Sequence, residues 1–203
     1  MNYLAHLYLS EANDDAWLGS LLGDFVKGPL DGRYSETITQ AIVLHRKIDS
    51  FTDSHPLVLR SKARISPARR RYAGIMTDMF YDHFLARHWE DFHDEPLALF
   101  ADRIYRVLNK HHGILPERLQ YMAPIMAQGD WLGSYADIDS IHSALNRMSR
   151  RLKRENRLID SAEELVGNYE QLEDDFREFM PQVEQLARAF ARSAIAPSLG
   201  PSD

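Results

Sequence analysis

Residues 35–56 read SETITQAIVLHRKIDSFTDSHP. Ile38, Ala41, Ile42 and Ile48 form a stripe at spacings of three and four, the period of an amphipathic helix rather than a strand. Ser35 serves as a cap for its first turn, the helix runs to about Ser54, and Pro56 starts a new one. His45 falls inside the apolar stripe. Asp49 and Asp53 follow it at successive steps of four, so the three side chains share much of one side. A buried imidazole there needs a partner. A metal ion bridging two of the three supplies one; a backbone carbonyl, with the aspartates paired to Arg46 or Lys47, supplies the other.

Outward from this segment the helical period runs through nearly the whole chain, with Gly and Pro between apolar-periodic stretches and no strict two-residue alternation. The expectation is an all-α single domain over residues 1–195, without internal repeats. Asn2 caps a short first helix carrying His6, and a second helix runs from about Asn13 to Lys27, stopped by Gly28-Pro29, with Asp24 in its last turn. Ser66-Pro67 opens a long helix to about Phe92, and Pro96 opens one that stops at Gly113. Further helices are expected from Pro116 to Gln128, from Asp137 to Arg151, and from Ser161 onward with a break near Pro181. The tail APSLGPSD, 196–203, is expected to be disordered.

Composition narrows the function. With 24 Lys and Arg against 30 Asp and Glu, the net charge is −6, which argues against a general nucleic-acid binder. No apolar run approaches the ~20 residues needed to cross a bilayer. The start, MNYLAHLYLSEANDD, lacks the marks of a signal peptide, so a cytoplasmic protein without membrane contact is expected. Cysteine is absent, so any metal must be held by nitrogen and oxygen. The charge is unevenly spread. Arg60, Lys62, Arg64, Arg69, Arg70 and Arg71 come without an intervening acid, Arg147 to Arg157 is almost as basic, and Asp160 to Glu178 is strongly acidic. Each basic run is either a solvated face or a site for an anionic partner.

Other polar residues interrupt apolar surroundings as His45 does. His6 stands in LAHLYL and Asp24 in LLGDFV. Asp24 near a helix C-terminus opposes the dipole, a penalty that a bound cation reverses. On the segment after Ser66, Tyr72, Ile75, Met76, Met79 and Phe80 define a buried face that Asp82 and His83 continue. Asp78 and Asp82, one turn apart, repel by a few tenths of a kcal/mol, so a divalent cation or a nearby arginine should compensate. Mixed imidazole and carboxylate donors suit Mn²⁺, Mg²⁺, Fe²⁺ or Zn²⁺, and the carboxylate share favours Mn²⁺ or Mg²⁺. Such an ion activates water and polarises a phosphoryl oxygen, the need of phosphoester hydrolysis. No phosphate-binding glycine loop, dinucleotide fingerprint or nucleophile elbow is present. Trp131 and Tyr135, in GDWLGSY, either line a pocket or pack in the core. His111 and His112, beside Gly113, suit a helix C-terminus.

Four blocks, NYLAHLYLS (2–10), LLGDFVKG (21–28), LHRKIDSFTDSHP (44–56) and DMFYDHFLARHW (78–89), resemble the bacterial acyl carrier protein phosphodiesterase family in order and spacing. The resemblance implies hydrolytic removal of 4′-phosphopantetheine from the serine of holo-acyl carrier protein, with Mn²⁺ preferred and Mg²⁺ or Fe²⁺ as alternatives. It also implies an all-helical fold distantly related to the HD-domain metal-dependent phosphohydrolases. Here the adjacent pair reads Asp82-His83 where the HD pattern has His before Asp, which leaves individual ligand roles open.

The matched polar positions are His6, Asp24, His45, Asp49, Asp53, Asp78, Asp82 and His83. The expectation is that Asp24, His45, Asp49, Asp82 and His83 ligate the metal. His6, Asp78 and His83 then orient ligands or move protons. Arg46 and Lys47 are expected on the phosphodiester or the pantetheine. The acidic carrier protein is expected to dock on the first basic run, at Arg69, Arg70 and Arg71, with Arg147 to Arg157 as second choice. Two rival readings remain: an HD-like phosphohydrolase for a nucleotide or other small phosphoester, and a non-enzymatic helical adaptor for an acidic protein.

Overall fold

In the chain's computed structural model, residues 1–152, 154 and 156–195 are described; the expected tail lies outside them. Among the described residues the helices are α1 (Tyr3–Tyr8), α2 (Asp14–Leu22), α3 (Glu36–Ser54), α4 (Pro56–Arg64), α5 (Ala73–Arg87), α6 (Trp89–Phe92), α7 (Leu97–Lys110), α8 (Glu117–Gln128), α9 (Trp131–Ser134), α10 (Ile138–Arg151), α11 (Glu163–Gly167) and α12 (Tyr169–Ile195), with no strand. The all-α expectation holds. No described helix is long and apolar enough to cross a membrane.

Several boundaries follow the expected local chemistry. The Asn13 side chain accepts the Ala16 amide at 2.9 Å and starts α2, and the Ser35 hydroxyl accepts the Ile38 amide at 3.3 Å and starts α3. Pro56 occupies the first turn of α4, with His55 as the cap.

Other boundaries differ. The second helix ends at Leu22, where Phe25 and Val26 turn back onto the Leu22 carbonyl, so Asp24 lies beyond the helix rather than in its last turn. The long helix expected from Ser66 to Phe92 is divided. Arg70 donates to the Ile65 and Ala63 carbonyls at the end of α4, a 3₁₀ turn covers Arg70–Tyr72, and a non-helical His88 separates α5 from α6. Helix α12 passes Pro181 without the expected break.

Asn2 does not cap α1. Its amide donates to Met79 Sδ at 2.8 Å, and the first amides of α1 are met instead by Asp82 of α5, which accepts Leu4 N–H at 2.8 Å and Ala5 N–H at 3.2 Å. This tertiary cap matters because α1 has 6 residues, far below the ~12–15 at which an isolated helix becomes even marginal. Buried Leu4 and Leu7 anchor it, each such side chain contributing about 1.5–3 kcal/mol. Against it, α2 packs on α3 at close range, since a Cβ on Gly19 would overlap the Ile38 carbonyl and the Ala41 methyl. Helices α1, α2, α3 and α5 thus meet at one end of the core.

Candidate metal centre

His6 from α1 and His45 and Asp49 from α3 converge where these helices meet, with one donor atom from each lying within 4.8 Å of the others. Asp49 binds both rings, Oδ1 at 3.0 Å from His6 Nε2 and Oδ2 at 3.2 Å from His45 Nε2. The rings stack at 3.7 Å between centroids, 16° apart. Both imidazoles are buried, whereas Asp49 is 42% exposed and opens the group to solvent.

The neighbours of His45 show what the group needs. Its Nδ1 lies 2.7 Å from the Ser20 carbonyl, which can only accept a hydrogen bond, so Nδ1 carries the hydrogen. Nε2 then faces Asp49 at 3.2 Å and Asp24 Oδ1 at 3.8 Å. A lone pair turned toward two carboxylates is repelled, so positive charge belongs between them, as a second ring proton or a cation. His6 resists charging. Burial pushes it down to about 3 against the pull of Asp49, and the stacked His45 adds to the fall. A ring kept neutral by burial retains the lone pair that a metal takes. His6 Nδ1 is buried without a partner, so nothing commits Nε2 to remain a donor to Asp49. Asp49 is held far below the carboxylate range: burial would raise it, but hydrogen bonds from His45 and His6 prevail. Asp24 is raised, chiefly by burial. A neutral His6 nitrogen and an ionised Asp49 carboxylate beside His45 Nε2 fit a divalent cation.

The remaining expected residues are distributed around this centre. Asp78 lies 3.2 Å from the Met1 ammonium, which also stands 3.5 Å from Asp49. Both oxygens of Asp82 are spent on the amides of α1. His83 is held between the Tyr135 carbonyl at 2.8 Å and the Tyr169 hydroxyl at 3.0 Å, outside the group. Asp53 pairs with Lys62 at 2.8 Å. Arg46 donates to the Val26 carbonyl at 2.9 Å, and Lys47 lies over the Phe190 ring.

Most of the first basic run is already paired within the chain. Arg60 and Arg64 clasp Asp175 at 2.6 and 3.0 Å, Arg69 reaches Glu163 and Glu164, and Arg70 holds backbone carbonyls. Arg71 is exposed and forms no ion pair among the described residues.

Beside the centre opens a cleft of about 450 Å³ that Asp24, Asp78 and Tyr3 line together with Met79, Met122 and Trp131. Tyr135 also lines it while remaining buried, so both readings of GDWLGSY hold at once. Arg118, Arg147 and Arg151 form part of its wall. Sequence reading singled out neither Arg118, an unremarkable helix position, nor Gly23, where a Cβ would overlap the His45 ring.

A family model described as acyl carrier protein phosphodiesterase matches residues 1–183. Among curated proteins bearing that name, the Pectobacterium atrosepticum protein is 37% identical over 189 residues, covering 93% of this chain and 98% of its own. The one from Serratia proteamaculans is 37% identical over 190 residues, with coverage of 93% and 98%. That from Salmonella agona is 35% identical over 196 residues, covering 96% of this chain and 100% of its own. No solved structure matches significantly. End-to-end likeness at this identity leaves no room for a shared fragment alone, and the chain belongs to the acyl carrier protein phosphodiesterase family.

Proposed function

We propose that this protein hydrolyses the phosphodiester joining 4′-phosphopantetheine to the serine of holo-acyl carrier protein, using a divalent cation held by His6, His45, Asp49 and Asp24. The observation that carries the metal reading is His45 Nε2 facing two carboxylates while the Ser20 carbonyl holds the ring's other proton. Among candidate ions, the nitrogen and oxygen donors favour Mn²⁺, with Mg²⁺ and Fe²⁺ as alternatives. When bound, such an ion lowers the pKa of water and polarises a phosphoryl oxygen.

The chain's own groups do the rest. Water oxygen forms the new bond to phosphorus as the bond to the serine oxygen breaks. Asp78, on the cleft wall, accepts the proton of the attacking water, and the departing serine oxygen takes up one from solvent. Stacking on His45 fixes His6, and Gly23 leaves the space in which the His45 ring sits. A cytoplasmic location is part of the same proposal.

The test is intact mass spectrometry of holo-acyl carrier protein incubated with the enzyme and Mn²⁺. The mass should fall by one phosphopantetheine. His45→Ala and Asp49→Ala should abolish that loss and also the binding of Mn²⁺ seen by titration calorimetry. An unchanged carrier mass with the wild-type enzyme would refute the activity. Near-normal turnover in either variant would remove that residue from the metal centre. Equal rates on holo-carrier protein and on a small phosphodiester would favour an enzyme of small phosphoesters.

A further inference from the structure

The chain as a whole is acidic, at −6, yet Arg118 of α8 and Arg147 and Arg151 of α10 all line the cleft that Asp24 and Asp78 line. All three are exposed, and among the described residues none forms an ion pair. The first basic run offers a contrast, because Asp175, Glu163 and Glu164 already occupy Arg60, Arg64 and Arg69. Arg118 lies over the Phe25 ring at 5.8 Å and Arg147 over the Trp131 ring at 5.3 Å. A guanidinium braced on a ring face keeps its N–H edges free for carboxylates. Three like charges around one cleft favour an anionic partner. Tyr3, Asp24 and Asp78 line the same cleft as the three arginines.

We propose that Arg118, Arg147 and Arg151 form the surface on which the protein substrate docks through its own carboxylates, lining the same cleft in which its phosphodiester meets Asp24 and Asp78. The inference rests on the phosphodiesterase reading, since an acidic enzyme with a carboxylate-rich protein substrate needs a local positive face.

The apo form of the carrier protein separates docking from chemistry, because it lacks the prosthetic phosphate and keeps the protein surface. In calorimetric titrations of apo-carrier protein, R118E/R147E/R151E should weaken binding by about tenfold or more and flatten its salt dependence, with KM for the holo form rising in step while kcat moves by less than about twofold. If reversal prevents folding, as a circular dichroism melt would show, R118Q/R147Q/R151Q should give the same ordering at smaller size. Unchanged affinity for apo-carrier protein overturns the proposal. A loss confined to kcat also overturns it, by assigning the arginines to the prosthetic group. Wild-type enzyme that leaves holo-carrier protein intact refutes the activity instead, and the apo titration still decides the docking surface.

Discussion

Gly23 carries no functional group, yet the geometry of His45 depends on it. A methyl at this position would overlap the imidazole, while the ring is tied on its far side to the Ser20 carbonyl at 2.7 Å. Gly23→Ala must therefore push the ring off its hydrogen bond or lever α2 away from α3. Loss of such an orienting contact typically costs 10- to 100-fold in metal affinity. Calorimetry should show Mn²⁺ binding to Gly23→Ala weakened by about that range, and unchanged affinity would mean that the ring is positioned otherwise. At this scale the sequence singled out eight polar positions, of which four lie together. His6, Asp24, His45 and Asp49 stand out as polar exceptions on apolar faces, and they do converge. Asp82 and His83 give the same signal for another reason. Burial demands a partner for each, but a sequence does not say whether that partner is an ion, an amide 78 positions away or the Tyr135 carbonyl.

Helix α1 shows how an element too short to stand alone is held by a residue on another. The cap comes from α5, so the position of His6 depends on Asp82. Such a cap is invisible to a reading of neighbouring residues, which is why Asn2 looked sufficient. Helix ends set by tertiary bonds, such as Arg70 on the carbonyls that close α4, are hidden for the same reason. The cap has a pH signature. Burial pushes the Asp82 carboxyl up to about 7, despite the amides of Leu4 and Ala5. Between its ordinary value of 3.8 and about 7 the folded protein therefore keeps a proton that the unfolded chain has lost, so this group makes stability fall as pH rises through that window. His6 acts in the opposite sense: lowered from 6.5 to about 3, it makes stability rise with pH between those values. Comparison of Asp82→Asn with wild type cancels the His6 contribution. In urea denaturation without metal, Asp82→Asn should be less stable at pH 4 and recover relative to wild type as pH approaches 7. A constant difference across that range would show that Asp82 keeps the same protonation state in both forms.

Across the whole molecule, the uneven charge resolves into two arrangements that composition cannot distinguish. The acidic stretch 160–178 folds against the first basic run, with Asp175 beneath Arg60 and Arg64, Glu178 on Arg60, and Glu163 and Glu164 on Arg69. Of the second run, Arg147 and Arg151 on α10 form no ion pair among the described residues and line the cleft. Spacing along the chain showed both clusters but not which one the C-terminal helices would cover. Asp175 joins α12 to α4 and is fully buried, taking Ser61 at 2.8 Å as well as the two arginines, while Ser61 in turn lies 2.8 Å from the Tyr81 hydroxyl. Removal of the carboxylate leaves a buried hydroxyl and two partly exposed guanidinium groups without their acceptor, and a wholly buried pair loses about 3–5 kcal/mol on such a change. Arg60 is 46% exposed and can rehydrate, so the lower end applies. Asp175→Ala should destabilise the fold by about 3 kcal/mol in urea denaturation, and Asp175→Asn by less, because its amide oxygen still accepts a hydrogen bond. Since α12 also closes over α3, the Phe51 and Phe179 rings, 6.0 Å apart, should lose their packing at the same denaturant concentration as α4. If Asp175→Ala instead unfolded at the wild-type midpoint, the clasp would add nothing to stability, and the opposed charge runs would serve only to keep the first basic cluster from competing with α10 for the substrate.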